Sequence, residues 1–109
     1  MIDIEDFNGL ELRVGKIEKV ELFPEANIPA YKLKINFGKY GEKWSSAQIT
    51  ENYSVEELTG RQIIAVMNLG VKIIAGFTSE VLVMGVDDKK GNVILLEVDE
   101  AIDNGGIVN

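Results

Sequence analysis

A chain of 109 residues, 46% hydrophobic and 27% charged, has room for one domain with a packed core and little else. It contains no cysteine and no histidine, which excludes disulfides, thiolate or imidazole metal sites and the commonest general base. The formal net charge of −7 opposes approach to a phosphate backbone unless bases gather on one face.

Met1 to Asp6 is acidic where a signal peptide would be basic and then apolar, and Asp3 is placed to cap a turn containing Phe7. Leu10, Leu12 and Val14 alternate as one face of a strand. Gly15 then breaks the register before apolar positions resume at Ile17, Val20 and Leu22, which predicts a bulge or sharp coil at the glycine. A strongly bent first strand is what a small closed barrel needs. Pro24 and Pro29 bracket a loop. From Tyr31 to Phe37 odd positions are apolar and even ones polar, so one face is buried while Lys32, Lys34 and Asn36 share the other. Ser54 and Glu57 have capping-box spacing for a short helix through Leu58 that stops at Gly60. Ile63–Met67, Val81–Met84 and Val93–Leu96 are near-continuous apolar runs, expected to be strands buried on both faces, one face being a candidate subunit interface. Asp88 to Gly91 reads as a hairpin turn. Strands of this length with one short helix predict an all-β barrel or sandwich, residues 1–109 forming a single domain. No apolar run approaches the roughly 20 residues of a membrane helix, so a cytoplasmic protein without membrane insertion is expected.

Charge is unevenly spread. Residues 1–12 carry four acids and no base, whereas residues 13–43 carry seven bases against four acids. The acid pairs Asp87-Asp88 and Asp99-Glu100 lie beside turn-like sequence and read as solvated loops rather than a catalytic dyad. No glycine-rich phosphate cradle is present. The residues point to a binding protein rather than an enzyme, with no metal and no cofactor.

Several stretches taken in order resemble the tRNA-binding domain that occurs free-standing and at the end of methionyl-tRNA synthetases, and more closely its CsaA-like chaperone branch. They are Asp6-Phe7 with Leu10 to Ile17, Phe23 to Ala26, Ser45 to Thr50, Leu58 to Gln62, Met67 to Leu69, and Ala75 to Val83. The resemblance implies a five-stranded OB-fold Greek-key barrel with short N- and C-terminal extensions and a homodimer built through them. For the CsaA-like branch it implies binding of unfolded or presecretory polypeptides, and for the wider family sequence-tolerant tRNA binding. Where the family usually carries a proline followed by bases, this chain has Gly70-Val71-Lys72-Ile73-Ile74-Ala75. That apolar loop suits a peptide better than a phosphate backbone.

The candidate peptide site combines Trp44, Phe77 and the Val71, Ile73, Ile74 loop with polar contacts from Ser46, Gln48, Asn68, Ser79 and Glu80. Trp44 and Phe77 are equally suited to packing, and the Asn68 amide to holding a turn. The alternative nucleic-acid site is a cationic strip of Arg13, Lys32, Lys34 and Lys72; Lys32 and Lys34 also fit the plain solvated face of a strand. The apolar Val93–Leu96 run and the Gly106-Ile107-Val108 tail exceed what one small barrel needs inside, which predicts a two-fold homodimer.

Overall fold

The computed structural model describes residues 1–109. Asp3 opens helix α1 (Ile4–Asn8) with a reciprocal capping box to Asp6, and the helix buries none of its residues. Strand β1 (Leu12–Leu22) is followed by β2 (Tyr31–Asn36), a 3-10 turn (Gly38–Tyr40), β3 (Glu42–Ala47), α2 (Val55–Leu58) and β4 (Gln62–Val66). Then come β5 (Lys72–Ile74), β6 (Phe77–Ser79), β7 (Leu82–Val83), β8 (Gly85–Asp87) and β9 (Val93–Leu95). The five-stranded sheet runs β3-β2-β1-β4-β7, and β5-β6 and β8-β9 form separate two-stranded hairpins. The sheet curls into a nearly closed all-β barrel of the OB type. No helix is long and apolar enough to cross a membrane.

Strand β1 has two neighbours. Residues 16–22 pair with β2 and residues 12–16 with β4. Beyond β2, the C-terminal residues take over the same edge: Val14 N–H donates to Gly106 O, Gly105 N–H to Val14 O and Val108 N–H to Leu12 O. The register shift against β2 lies between Ile17 and Lys19, so the bulged residue is Glu18 and not Gly15 as expected. Gly15 answers to packing instead. A Cβ there would lie 2.5 Å from Phe37 Cε1 and 2.6 Å from Ile35 Cγ2, inside the barrel.

The period-two pattern of β2 is reproduced in full, with Tyr31, Leu33 and Ile35 inward and Lys32, Lys34 and Asn36 outward. These inward residues join Ile17, Phe37, Leu58, Ile63 and Val81 in one core. Of the apolar runs, Ile63–Met67 places buried residues on both faces, Ala65 inward and Val66 outward, whereas Val81–Met84 and Val93–Leu96 do not. Leu82 is 54% and Ile94 45% exposed, because each strand turns one face inward and nothing in the chain covers the other. Leu12, Val14 and Val66 are buried but stand outside the core cluster, on the outward side of the β1–β4 pair.

Two cap and turn sites behave as their sequences predict. Ser54 and Glu57 form a reciprocal capping box on α2, and the Ser54 hydrogen bonds lower the Glu57 pKa. Asp88 accepts from the N–H groups of Asn92 and Lys90 and from the Asn52 amide. Those bonds, the Asn92 one first, hold its carboxyl below the usual aspartate value.

Gly15→Ala should lower unfolding free energy by about 1–3 kcal/mol, the usual range for overpacking a core. Urea denaturation checks this; an unchanged midpoint would show that the barrel opens freely at this point.

Candidate functional site

The alternating sequence of β2 and the pairing of Lys34 with Trp44 and Lys32 with Ser46 place four side chains on one outer face. Phe23 and Phe77 complete an aromatic cluster there. Their rings meet edge-on with centroids 5.4 Å apart, and Trp44 meets Phe77 edge-on at 6.0 Å. The Lys32 ammonium lies 4.7 Å from the Phe23 centroid and 5.2 Å from that of Phe77. Its charge is therefore held against aromatic faces. Lys34 pairs with Glu42 at 3.0 Å.

Barrel closure runs through residues proposed for ligand contact. The Trp44 N–H donates to Glu80 Oε1 at 3.0 Å, the Glu80 N–H to Trp44 O at 2.7 Å, and the Ser46 N–H to Ser79 Oγ at 3.0 Å. The free edge of β3 is thus sealed largely by side-chain acceptors. Ser79 is buried, and Glu80 commits one carboxylate oxygen to this seam. Asn68 is a clamp: its Oδ1 accepts from Glu11 N–H and its Nδ2 donates to Gly9 O, both at 2.8 Å, tying the N-terminal extension to the end of β4.

Residues 71–74, read from sequence as a loop, are largely strand. Lys72–Ile74 pairs with Phe77–Ser79 across a two-residue turn, Ala75-Gly76, in which both residues have positive φ (47° and 79°). This mirror-image turn matches strand twist, so the apolar segment forms a hairpin. Pairing puts Lys72, Ile74, Phe77 and Ser79 on one face and Ile73 on the other, where it is 71% exposed.

Between this hairpin, the end of β3 and the start of β7 lies a groove of about 400 Å³. It gathers Ser46, Gln48, Val71, Lys72, Ile74 and Ser79 from the predicted set, but not Trp44, Asn68, Ile73, Phe77 or Glu80. The Gln48 side chain makes no hydrogen bond within the protein. Sequence reasoning missed Ile49, Leu69, Val81, Leu82, Val93 and Leu95, which supply much of the apolar wall. Their signal was the excess of apolar residues in the later runs. No carboxylate lines the groove, and Lys72 is its only charge.

The four bases of the alternative site do not form one strip. Arg13 shares the inward parity of Gly15 at the far end of β1. Its guanidinium stacks 3.5 Å over the Tyr40 ring, pairs with Glu11 at 2.7 Å and donates to Gly105 O at 2.8 Å. Lys32 and Lys34 lie together on β2, whereas Lys72 belongs to the hairpin groove. No cluster of side chains suited to holding a metal is present.

The comparisons agree with this geometry. A family model described as "Putative tRNA binding domain" matches residues 12–106. The chain is similar to the solved structure of chaperone CsaA from Bacillus anthracis, with a TM-score of 0.95 and 47% identity over 100% of this chain and 99% of that one. It is similar as well to the CsaA chaperone protein from Picrophilus torridus, with a TM-score of 0.94 and 49% identity over the full length of both. Among curated proteins, the methionine–tRNA ligase of Listeria innocua is 32% identical over 108 residues, which is 98% of this chain and 16% of the ligase. The chain thus spans a small part of the length of such relatives.

Replacing Ser79 or Glu80 by Ala should each cost about 1–3 kcal/mol, because a part-buried N–H on β3 loses its acceptor. The double variant should cost less than the two losses added, since both seal one seam. A urea-denaturation cycle checks both expectations; full additivity would show two independent contacts.

Proposed function

We propose, from the premise that this chain belongs to the tRNA-binding-domain family and to its CsaA-like branch, that it is a chaperone-type binding module for extended, partly apolar polypeptide. Its clients would be unfolded or presecretory chains met in the cytoplasm and held without ATP, by binding rather than catalysis. The observation that carries this reading is the apolar, acid-free groove beneath the β5–β6 hairpin, on a protein whose surface is otherwise acidic. An apolar lining with few polar groups favours side chains of an extended segment over a charged backbone. Ser46 and Gln48 supply polar contacts at its β3 wall, with Val71 and Ile74 as anchors. Trp44 and Phe77 brace the adjoining outer face.

A second reading is a tRNA-binding module acting in trans. It is supported by the family match, and by Lys32 and Lys34 sharing one outer face with Trp44. Against it stand the ion pair of Lys34 with Glu42 and the separate location of Arg13.

The test is anisotropy of a labelled presecretory-type peptide titrated with the protein, with tRNA as competitor at low and physiological salt. Saturable binding that ignores tRNA is expected, weakened about tenfold or more by Val71→Asp, which replaces one exposed apolar anchor of the groove by a charge. Displacement by tRNA that fades as salt rises would put the RNA reading first.

A homodimer is part of the proposal. Helix α1 presents Ile4 at 68% exposure, and Leu10, Leu82 and Ile107 are also exposed, while Leu12, Val14 and Val66 lie buried outside the core. An apolar surface of this kind calls for a covering partner, and a symmetric copy supplies one. Sedimentation at micromolar concentration should give a dimer that Leu82→Asp converts to monomer. A monomeric parent protein would remove this part of the proposal.

A further inference from the structure

Strand β5 pairs only with β6, so the other edge of this hairpin strand has no partner. Leading into it, Val71 makes no backbone hydrogen bond within the protein. Two residues lining the groove that β5 overhangs, Ile49 and Val81, are only 4% and 6% exposed, and their N–H groups find no acceptor within the protein. Buried backbone donors are paired almost without exception in folded proteins. An open strand edge beside unpaired donors and an apolar trough has the composition of a strand-addition site. Elsewhere, β3 is sealed by Ser79 and Glu80, and the edge of β1 by residues 105–108.

Charge narrows the occupant. Lys72 is the one charged residue in the groove, and it takes part in no ion pair. One free cation in an acid-free apolar trough complements a single acidic side chain on an otherwise apolar segment. It falls short of what a phosphate backbone would require.

Building on the polypeptide reading above, we infer that the groove takes its client by strand addition. The client's main chain pairs with the open β5 edge, alternate apolar side chains enter the trough, and one acidic side chain meets Lys72. Recognition is then of backbone and alternation, with sequence entering only through side-chain size and one charge.

The experiment uses the full chain and a labelled peptide of about six residues, a common strand length, with Val or Leu at alternate positions and one Asp. Two sister peptides carry N-methyl groups at alternate residues, one set on each edge of the extended peptide. Methylation along one edge should weaken binding about tenfold by removing main-chain donors, while methylation along the other should leave it unchanged. Lys72→Gln and an Asp→Asn peptide should each weaken binding by about threefold at low salt, and together no more than either alone. Equal binding of all three peptides would overturn strand addition and leave polypeptide binding standing. Additive charge effects would overturn the Lys72 contact. No saturable binding of the parent peptide would overturn both this inference and the reading on which it rests. Binding that weakens as protein concentration rises would show the edge taken by a second copy and would overturn it likewise.

Discussion

At Gly15 the backbone of β1 passes so close to the side chains of Ile35 and Phe37 that a Cβ would force them to shift, at the point where one strand passes from pairing with β2 to pairing with β4. The bulge at Glu18, next to the inward Ile17, adds curvature where the pairing with β2 shifts. On the far side of the sheet β3 meets the end of β6, where Ser79 and Glu80 reach the β3 backbone.

That seam explains why the stretch from Phe77 to Glu80 has a dense set of structural duties. Phe77 packs against Phe23 and Trp44, Ser79 accepts from Ser46, and Glu80 accepts from Trp44. A short strand pair there is held by side chains where a ladder of backbone bonds is incomplete. The same incompleteness leaves backbone donors free in the adjoining trough. The seam and the open groove beside it are therefore two outcomes of one geometric fact: the barrel is almost, but not wholly, closed.

Much of the fold was legible because local rules were strong. The fault-free alternation of Tyr31 to Asn36, the Ser54–Glu57 box and the Asp88 turn each appear as their chemistry dictates. Gly15 was visible as an anomaly, but its cause was not, since a register break and a tertiary close approach leave the same mark on a sequence. The site was less legible. Ser46, Gln48, Val71, Lys72 and Ile74 converge, yet Asn68 and Glu80 spend polar atoms on the chain itself. Nothing local distinguishes a carboxylate that accepts from its own backbone from one that awaits a ligand. Arg13 likewise reads as a surface base until its stacking on Tyr40, from a distant turn, is known.

The bond from Arg13 to Gly105 joins residues 92 apart in sequence, and Leu12 and Val14 take main-chain partners equally far along the chain. Closing loops of that size is entropically unfavourable before any contact rewards it. A topology dominated by such pairings belongs kinetically with the slow barrels, which fold over roughly milliseconds to seconds rather than microseconds. During that interval the edge of β1 that residues 105–108 finally cover stands open, along with the apolar strands beside it. A protein read here as a holder of unfinished chains thus passes through a comparable unfinished state of its own.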